Sequence, residues 1–175
     1  ELMRQYWIPV IASDELLADG DPVRLLILSE ELIAFRTTSG KVGVMDQRCP
    51  HRVASLFYGR NEEDGIRCVY HGWKFDADGK CVDQGNIPVE QQFCERTPAK
   101  AYPTQERAGM VFAYMGHARS LPAMPDIPIF LVDEPVSVRV VLTECNWLQR
   151  LEGDIDTSHA GFLHSNNRHL LPALD

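Results

Sequence analysis

The chain has 175 residues, of which 45% are hydrophobic and 24% are charged, so it is long and apolar enough to build a globular core. Its formal net charge of −8, with no run of Lys or Arg, makes nucleic acid an unfavourable partner. No apolar stretch approaches the ~20 residues that cross a bilayer, and the first residues do not form a signal peptide, so we expect a cytoplasmic protein without a membrane segment.

Short apolar runs alternate with turn residues between residues 23 and 114, which is typical of an antiparallel β unit. The predicted strands are Val23–Leu28, Leu32–Arg36, Val42–Met45, Ile66–Tyr70 and Met110–Tyr114. Turn signals separate them at Ser39-Gly40, Asp64-Gly65 and Asp78-Gly79. This half of the chain is therefore predicted to be all-β.

Four prolines interrupt the segment between residues 116 and 135, where neither a regular helix nor a central strand can run. We place the domain boundary there, with a first domain at 1–118, a linker at 119–135 and the start of a second domain at 136–175. Val136–Thr143 alternates like a strand. Asn146, with Gln149 three residues later, predicts a capped helix that continues to about Leu163. One strand and one helix cannot bury their own apolar faces, so we expect an α+β domain that continues beyond residue 175.

The five cysteines form no regular disulfide framework. Two of them lie beside histidines, and their spacing is Cys49-x-His51, sixteen intervening residues, then Cys68-x-x-His71. We interpret the other three (Cys81, Cys94 and Cys145) as ordinary buried thiols. Thiolates and imidazoles bind either zinc or an iron–sulfur cluster. A zinc finger normally pairs two cysteines and then two histidines, whereas here each pair contributes one of each, as a Rieske [2Fe–2S] centre requires.

Two segments, CPHR (residues 49–52) and CVYHGWKF (residues 68–75), closely resemble Rieske proteins. The resemblance implies that Cys49 and Cys68 bind one iron of a [2Fe–2S] cluster, and that His51 and His71 bind the other. It also implies an all-β Rieske domain at 1–118.

The residues around these ligands leave two points open. Tyr70 and Trp73 flank a ligand segment, where they either donate hydrogen bonds toward cluster sulfurs or pack and exclude water. Val53 occupies the position after Cys-Pro-His-Arg where the family commonly has glycine, so we expect a backbone without positive φ there.

A second pattern, Asp156-x-x-His159-x4-His164, lies in the predicted helix. At ~100° per residue, two histidines five positions apart point ~140° apart on a straight helix. Both can face one metal if the helix bends or widens, and Gly161 lies between them. The spacing of Asp156 fits a third ligand or a residue that orients an imidazole, and a solvated polar helix face is the alternative to a metal site.

This run resembles the Asp-x-x-His-x4-His motif of Rieske oxygenases. The resemblance implies that His159 and His164 bind a mononuclear Fe(II), whose third, carboxylate ligand is not in this chain. It implies further that Asp156 is an electron-transfer bridge to His71 of a neighbouring subunit, and that the second domain is of the helix-grip type.

Four further segments make the chain similar to the phthalate dioxygenase branch of these ring-hydroxylating enzymes. They are RQYW (4–7), SL (55–56), GRNE (59–62) and AYMG (113–116). The resemblance implies the oxygenase (alpha) subunit of a homo-oligomer, a trimer or stacked trimers, that receives electrons from NAD(P)H through a flavin and iron–sulfur reductase. The implied reaction is dihydroxylation of an aromatic carboxylate with O2.

Monooxygenation, including O- or N-demethylation of an aromatic or heterocyclic substrate, is the first alternative. A Rieske ferredoxin, which only carries electrons, is a second, and the pair His159 and His164 counts against it. A zinc-binding interaction module is the third.

Overall fold

The computed structural model describes residues 1–117, 121–132 and 136–164. The chain divides into two compact units, residues 1–139 and residues 140–175. Residues 118–120, 133–135 and 165–175 lie outside the described residues; they include the last residue of the predicted first domain and parts of the predicted linker and second domain. Within the described ranges, no helix is long and apolar enough to span a membrane.

Three antiparallel sheets form the first unit, with the strand orders β1-β11-β10, β2-β3-β4-β9 and β5-β6-β7-β8. The strands are β1 Trp7–Ala12, β2 Val23–Ile27, β3 Glu30–Arg36, β4 Val42–Asp46, β5 Arg60–Glu62, β6 Gly65–Arg67, β7 Trp73–Phe75, β8 Cys81–Gln84, β9 Ala101–Tyr102, β10 Thr104–Arg107 and β11 Met110–Tyr114. Short 3-10 helices, such as Leu56–Tyr58 and Cys94–Arg96, lie between them. The predicted β architecture is confirmed.

One predicted strand, Ile66–Tyr70, is too long. The strand β6 ends at Arg67, and residues 69–71 form a turn, which the N–H of Gly72 closes by donating to the carbonyl of Cys68 at 3.0 Å. The predicted turn between β5 and β6 also differs. Glu63 and Asp64 hold the positive φ angles there, and Gly65 already belongs to β6.

Strand β3 separates two hydrophobic clusters because successive side chains of a strand point to opposite faces. Ile33 and Phe35 enter one cluster, and Leu32 and Ala34 enter the other. The first cluster also contains Cys49, Leu56, Ile66, Cys68, Trp73, Phe75 and Cys81. The two cysteines of the predicted cluster site are therefore anchored in a dry core.

The second unit contains two helices, α1 Trp147–Ile155 and α2 Ser158–Leu163. Asn146 caps α1 as predicted, and its side chain accepts a hydrogen bond from the N–H of Leu148 at 2.9 Å. The single predicted helix is interrupted at Asp156, whose backbone is extended (φ −78°, ψ 102°).

The predicted strand Val136–Thr143 is wrong: these residues form no strand in the described structure. None of the described strands pairs with this segment, so its N–H and C=O groups have no ladder partners in the described structure. The interpretation of Cys145 as a buried thiol is also wrong, because Cys145 is exposed; Cys81 is buried and Cys94 is half-buried.

Candidate metal centres

Two loops in the first unit carry the Cys-His pairs, and we call them the first Cys–His loop (residues 49–54) and the second Cys–His loop (residues 68–73). The first follows β4, and the second joins β6 to β7. Both close in the same way. The cysteine N–H donates to the carbonyl five residues later (Ala54 at 2.9 Å, Trp73 at 2.8 Å). The N–H four residues later donates back to the cysteine carbonyl, at 2.9 Å from Val53 and at 3.0 Å from Gly72.

The fourth residue after each cysteine lies in the left-handed region, with φ 75° at Gly72 and φ 59° at Val53. The expectation that the first Cys–His loop avoids positive φ is therefore wrong. The backbone hydrogen bonds impose this conformation, and a β-branched residue that adopts it is strained. The strain lies two residues from His51.

The thiols of Cys49 and Cys68 meet between the loops, and each residue is 2% exposed. A hydrogen bond from the Cys49 thiol lowers the pKa of Cys68 to about 6, and the backbone N–H groups of Tyr70 and His71 act in the same direction. The same contact between the thiols, together with burial, raises the pKa of Cys49. Thus one sulfur is poised to become a thiolate, the form that binds metals.

The imidazoles of His51 and His71 form the outer pair, with ring centroids 4.6 Å apart and both residues half-buried. Burial lowers the pKa of His51, and the neighbouring His71 and Arg52 lower it further, which favours the neutral, metal-binding form. Nδ1 of His71 is buried and has no hydrogen-bond partner among the described residues. An orphaned nitrogen beside a second imidazole fits a metal ligand.

Trp73 supports the first of these imidazoles. Its ring stacks on His51 with a centroid distance of 4.4 Å and an interplanar angle of 4°. The indole Nε1 donates to Oδ1 of Asn86 at 2.8 Å, and Phe93 packs edge-on at 5.8 Å. Since the indole N–H is used by Asn86, Trp73 packs and excludes water rather than donating toward the cysteines.

Tyr70 lies against the other imidazole, with its ring centroid 3.9 Å from that of His71. Unlike Trp73, which is 3% exposed, Tyr70 is 60% exposed. The imidazole of His51 therefore packs on a buried core residue, whereas the imidazole of His71 packs on an exposed ring.

The second unit brings His159 and His164 together, with ring centroids 5.4 Å apart. The predicted bend at Gly161 is not the device that does this: Gly161 lies inside α2, and His164 leaves the helix as its C-cap residue. Oδ2 of Asp156 lies 3.3 Å from Nδ1 of His159. Hydrogen bonds from the hydroxyl and the N–H of Ser158, and then His159, hold the pKa of Asp156 below its usual value.

No group of three or more His, Cys, Asp or Glu side chains could hold a single metal ion in the described parts of the chain. In the first unit the four candidate ligands come as two pairs, two thiols and two imidazoles. Two ligands for each of two irons suit a [2Fe–2S] cluster better than a tetrahedral zinc ion. Among residues 140–164, the described part of the second unit, no third side chain converges with the two histidines.

A family model for the Rieske [2Fe–2S] domain matches residues 6–101, which include both Cys–His loops. The chain belongs to this family. The matched region runs from the end of the first 3-10 helix to β9, so all three sheets contribute to the Rieske domain.

The chain is similar to the 3-chlorobenzoate-3,4-dioxygenase oxygenase subunit of Comamonas testosteroni, with 54% identity over 96% of this chain and 39% of that protein. It is 44% identical to the phthalate 4,5-dioxygenase oxygenase subunit of Pseudomonas putida, over 95% of this chain and 38% of that one. The chain thus spans about two fifths of the length of these relatives. A crystal structure of dicamba monooxygenase with non-heme iron and dicamba aligns with a TM-score of 0.58 and 28% identity, over 65% of this chain and 34% of that one.

Sequence reasoning missed the residues that brace the Rieske loops. Asn86 and Phe93 follow Trp73 by thirteen and twenty residues and belong to no motif. Arg67, directly before Cys68, contacts the second Cys–His loop through a backbone carbonyl. The one signal in the sequence that could have pointed to Arg67 is its position next to Cys68, a predicted ligand.

Proposed function

We propose that this chain is the cluster-bearing part of the oxygenase component of a Rieske non-haem iron oxygenase. The observation that carries the proposal is that one chain holds two separate sets of neighbouring side chains of the types that bind metals. The first set consists of Cys49, His51, Cys68 and His71, and the second consists of His159 and His164. A ferredoxin, which only carries electrons, needs the first set alone.

In this proposal Cys49 and Cys68 bind one iron of the cluster, and His51 and His71 bind the other. The pairing of thiol with thiol and of imidazole with imidazole across the loops supports the assignment. Once bound, the [2Fe–2S] group supplies a one-electron store whose potential is raised by its imidazole ligands. The half-exposed histidines, and not the buried cysteines, form the edge where electrons enter and leave.

His159 and His164 bind a mononuclear Fe(II), with a carboxylate outside the described residues as third ligand. Two histidines and one carboxylate leave coordination positions open for O2 chemistry. Asp156 orients His159 and stays ionised, because Ser158 and His159 lower its pKa. We assign to Asp156 the electron-transfer bridge between His159 and His71 of the partner subunit in a homo-oligomer.

The reaction proposed first is dihydroxylation of an aromatic carboxylate, with O2 and electrons from NAD(P)H through a flavin and iron–sulfur reductase. The names of the chlorobenzoate and phthalate dioxygenase relatives support this substrate class. Monooxygenation, including demethylation, is the second candidate, and the structural match to dicamba monooxygenase favours it.

The intact protein, supplied with a reductase, NADH, 18O-labelled O2 and phthalate or 3-chlorobenzoate, tests this function. Two labelled atoms in the product indicate dioxygenation, and one indicates monooxygenation. If NADH reduces the cluster but no aromatic carboxylate or methyl ether gains label or loses its methyl group, the chain is an electron carrier and the oxygenase proposal is wrong.

The bridge role is tested by Asp156→Asn, which keeps an acceptor for Ser158 and removes the negative charge beside His159. We expect both metal centres to stay loaded, while single-turnover oxidation of the reduced cluster slows by at least about tenfold. The matched control is Asp154→Asn, which removes a carboxylate paired with Arg150 at 3.1 Å on α1. Unchanged single-turnover oxidation in Asp156→Asn would contradict the bridge.

A further inference from the structure

Arg67 is the last residue of β6 and directly precedes Cys68, yet its side chain reaches the far end of the second Cys–His loop. Nη1 donates to the carbonyl oxygen of Gly72 at 2.7 Å. Gly72 follows His71 and has a φ of 75°, so its peptide group sets the direction in which the chain leaves the histidine. Arg67 thereby joins the base of the loop to its exit.

Two carboxylates fix the guanidinium in this position. Nε of Arg67 donates to Glu62 on β5 at 2.6 Å, and Nη1 donates to Asp83 on β8 at 2.6 Å. Gln92 in turn donates to the other oxygen of Asp83 at 3.0 Å. The Arg67 side chain is 16% exposed, so these charge-assisted hydrogen bonds are shielded from water and hold it in one orientation.

We propose that Arg67 is a positioning residue for His71: through the Gly72 carbonyl it fixes the second Cys–His loop and thereby the reduction potential of the cluster. The inference rests on the ligand assignment proposed above. Groups that orient the ligands of a metal centre tune its affinity and its potential. No comparable side chain holds the exit of the first Cys–His loop in the described residues, since the bonds that close it are backbone bonds.

Arg36 is a matched control, because its guanidinium also donates to backbone carbonyls and to a carboxylate. Its guanidinium donates to the carbonyls of Leu16, Gly40 and Ser13 and pairs with Glu106 at 2.7 Å. Its side chain is 17% exposed, close to the value for Arg67. None of these contacts involves a Cys–His loop, so Arg36 measures the purely structural effect of loosening a buried arginine.

The experiment compares Arg67→Lys with Arg36→Lys in the intact protein. Lysine keeps the positive charge but cannot bind the Gly72 carbonyl and two carboxylates in one plane. We expect both variants to lower the unfolding temperature. We expect Arg67→Lys alone to shift the cluster's midpoint potential and visible circular dichroism, and to weaken iron retention against a chelator on the order of tenfold.

A wild-type potential and dichroism in Arg67→Lys, or equal shifts in both variants, would overturn the proposal. If Arg67→Lys does not fold, Asp83→Asn takes its place with the same two outcomes, because it removes the charge that holds Nη1 of Arg67 against the Gly72 carbonyl. A wild-type protein without iron and acid-labile sulfide would overturn the ligand assignment and this proposal together. A loaded wild type with an unchanged Arg67→Lys overturns this proposal alone.

Discussion

The first and second Cys–His loops share one pattern of backbone hydrogen bonds, but they differ at the left-handed residue that this pattern requires. The second loop uses Gly72, for which positive φ costs little. The first loop uses Val53, which is strained and 68% exposed, so burial within the chain does not compensate for the strain. The loops also differ in support, since His51 is stacked on a buried indole and His71 lies beneath an exposed phenol. Equal backbone geometry is thus reached with unequal local stability.

The largest expected effect comes from substituting one proposed ligand in either loop. Cys49→Ser or Cys68→Ser should abolish the visible absorption of the cluster and the bound iron and sulfide, because in the proposed assignment each loop supplies one thiolate to the same iron. Cys81→Ser is the control, since Cys81 is as deeply buried (1% exposed) and belongs to neither loop. Retention of a full cluster in either ligand variant would show that the loops do not act as a pair.

The next largest effect concerns the aromatic residues that pack on the two imidazoles. Trp73→Ala empties a core position and should destabilise the domain by about 3–5 kcal/mol in urea unfolding. Tyr70→Ala removes an exposed ring and should cost less than about 1 kcal/mol. Similar losses from the two substitutions would contradict the distinction between a core-held and a surface-held histidine.

An acidic group supports the sheet from which the first Cys–His loop leaves. Although burial opposes it, hydrogen bonds from Lys100, Tyr102 and Arg4 lower the pKa of Glu30 to about 2 from 4.5. The ionised carboxylate therefore stabilises the fold above about pH 4.5, and this stabilisation is lost as the pH falls toward about 2.

Glu30→Gln should destabilise the domain on the order of 2 kcal/mol at neutral pH and should flatten the decline of stability between those pH values. Thermal unfolding across this range provides the measurement. Because Glu31 is an exposed neighbour paired with Arg48, Glu31→Gln is the control. If Glu30→Gln keeps the wild-type pH dependence of stability, Glu30 is not the cause of that dependence.

The smallest expected effect comes from substitutions at the two residues with positive φ. Val53→Gly should stabilise the domain by about 0.5–1 kcal/mol, because relief of strain exceeds the added entropy of the unfolded chain. Gly72→Ala should destabilise it by about 1–2 kcal/mol. A Cβ at Gly72 would come no closer than 3.4 Å to Gly85, so backbone strain and not a steric clash causes the loss. Changes of the same sign in both variants would contradict the comparison.

The sequence was sufficient for the features that depend on local pattern. Alternating apolar residues predicted strands such as Val42–Met45 and Met110–Tyr114, which the structure extends or reproduces. The spacing of Cys49, His51, Cys68 and His71 predicted one site, and the structure brings their side chains together.

The features that depend on distant partners could not be predicted. An alternating segment such as Val136–Thr143 becomes a strand only beside another strand, and sequence does not reveal that partner. Backbone hydrogen bonds hold Val53 at a positive φ, a conformation that valine disfavours, so its residue type did not predict it. The contact of Asn86 with Trp73 joins two segments that no periodicity relates.

The most direct test of the account is electron paramagnetic resonance of the reduced, intact protein with 15N-labelled histidine, together with iron and acid-labile sulfide analysis. The account predicts a [2Fe–2S] cluster whose signal shows hyperfine coupling to two histidine nitrogens, and the loss of one coupling in His51→Cys or His71→Cys. A cluster without nitrogen coupling, or zinc in place of iron and sulfide, would contradict the assignment of one thiolate and one imidazole to each Cys–His loop.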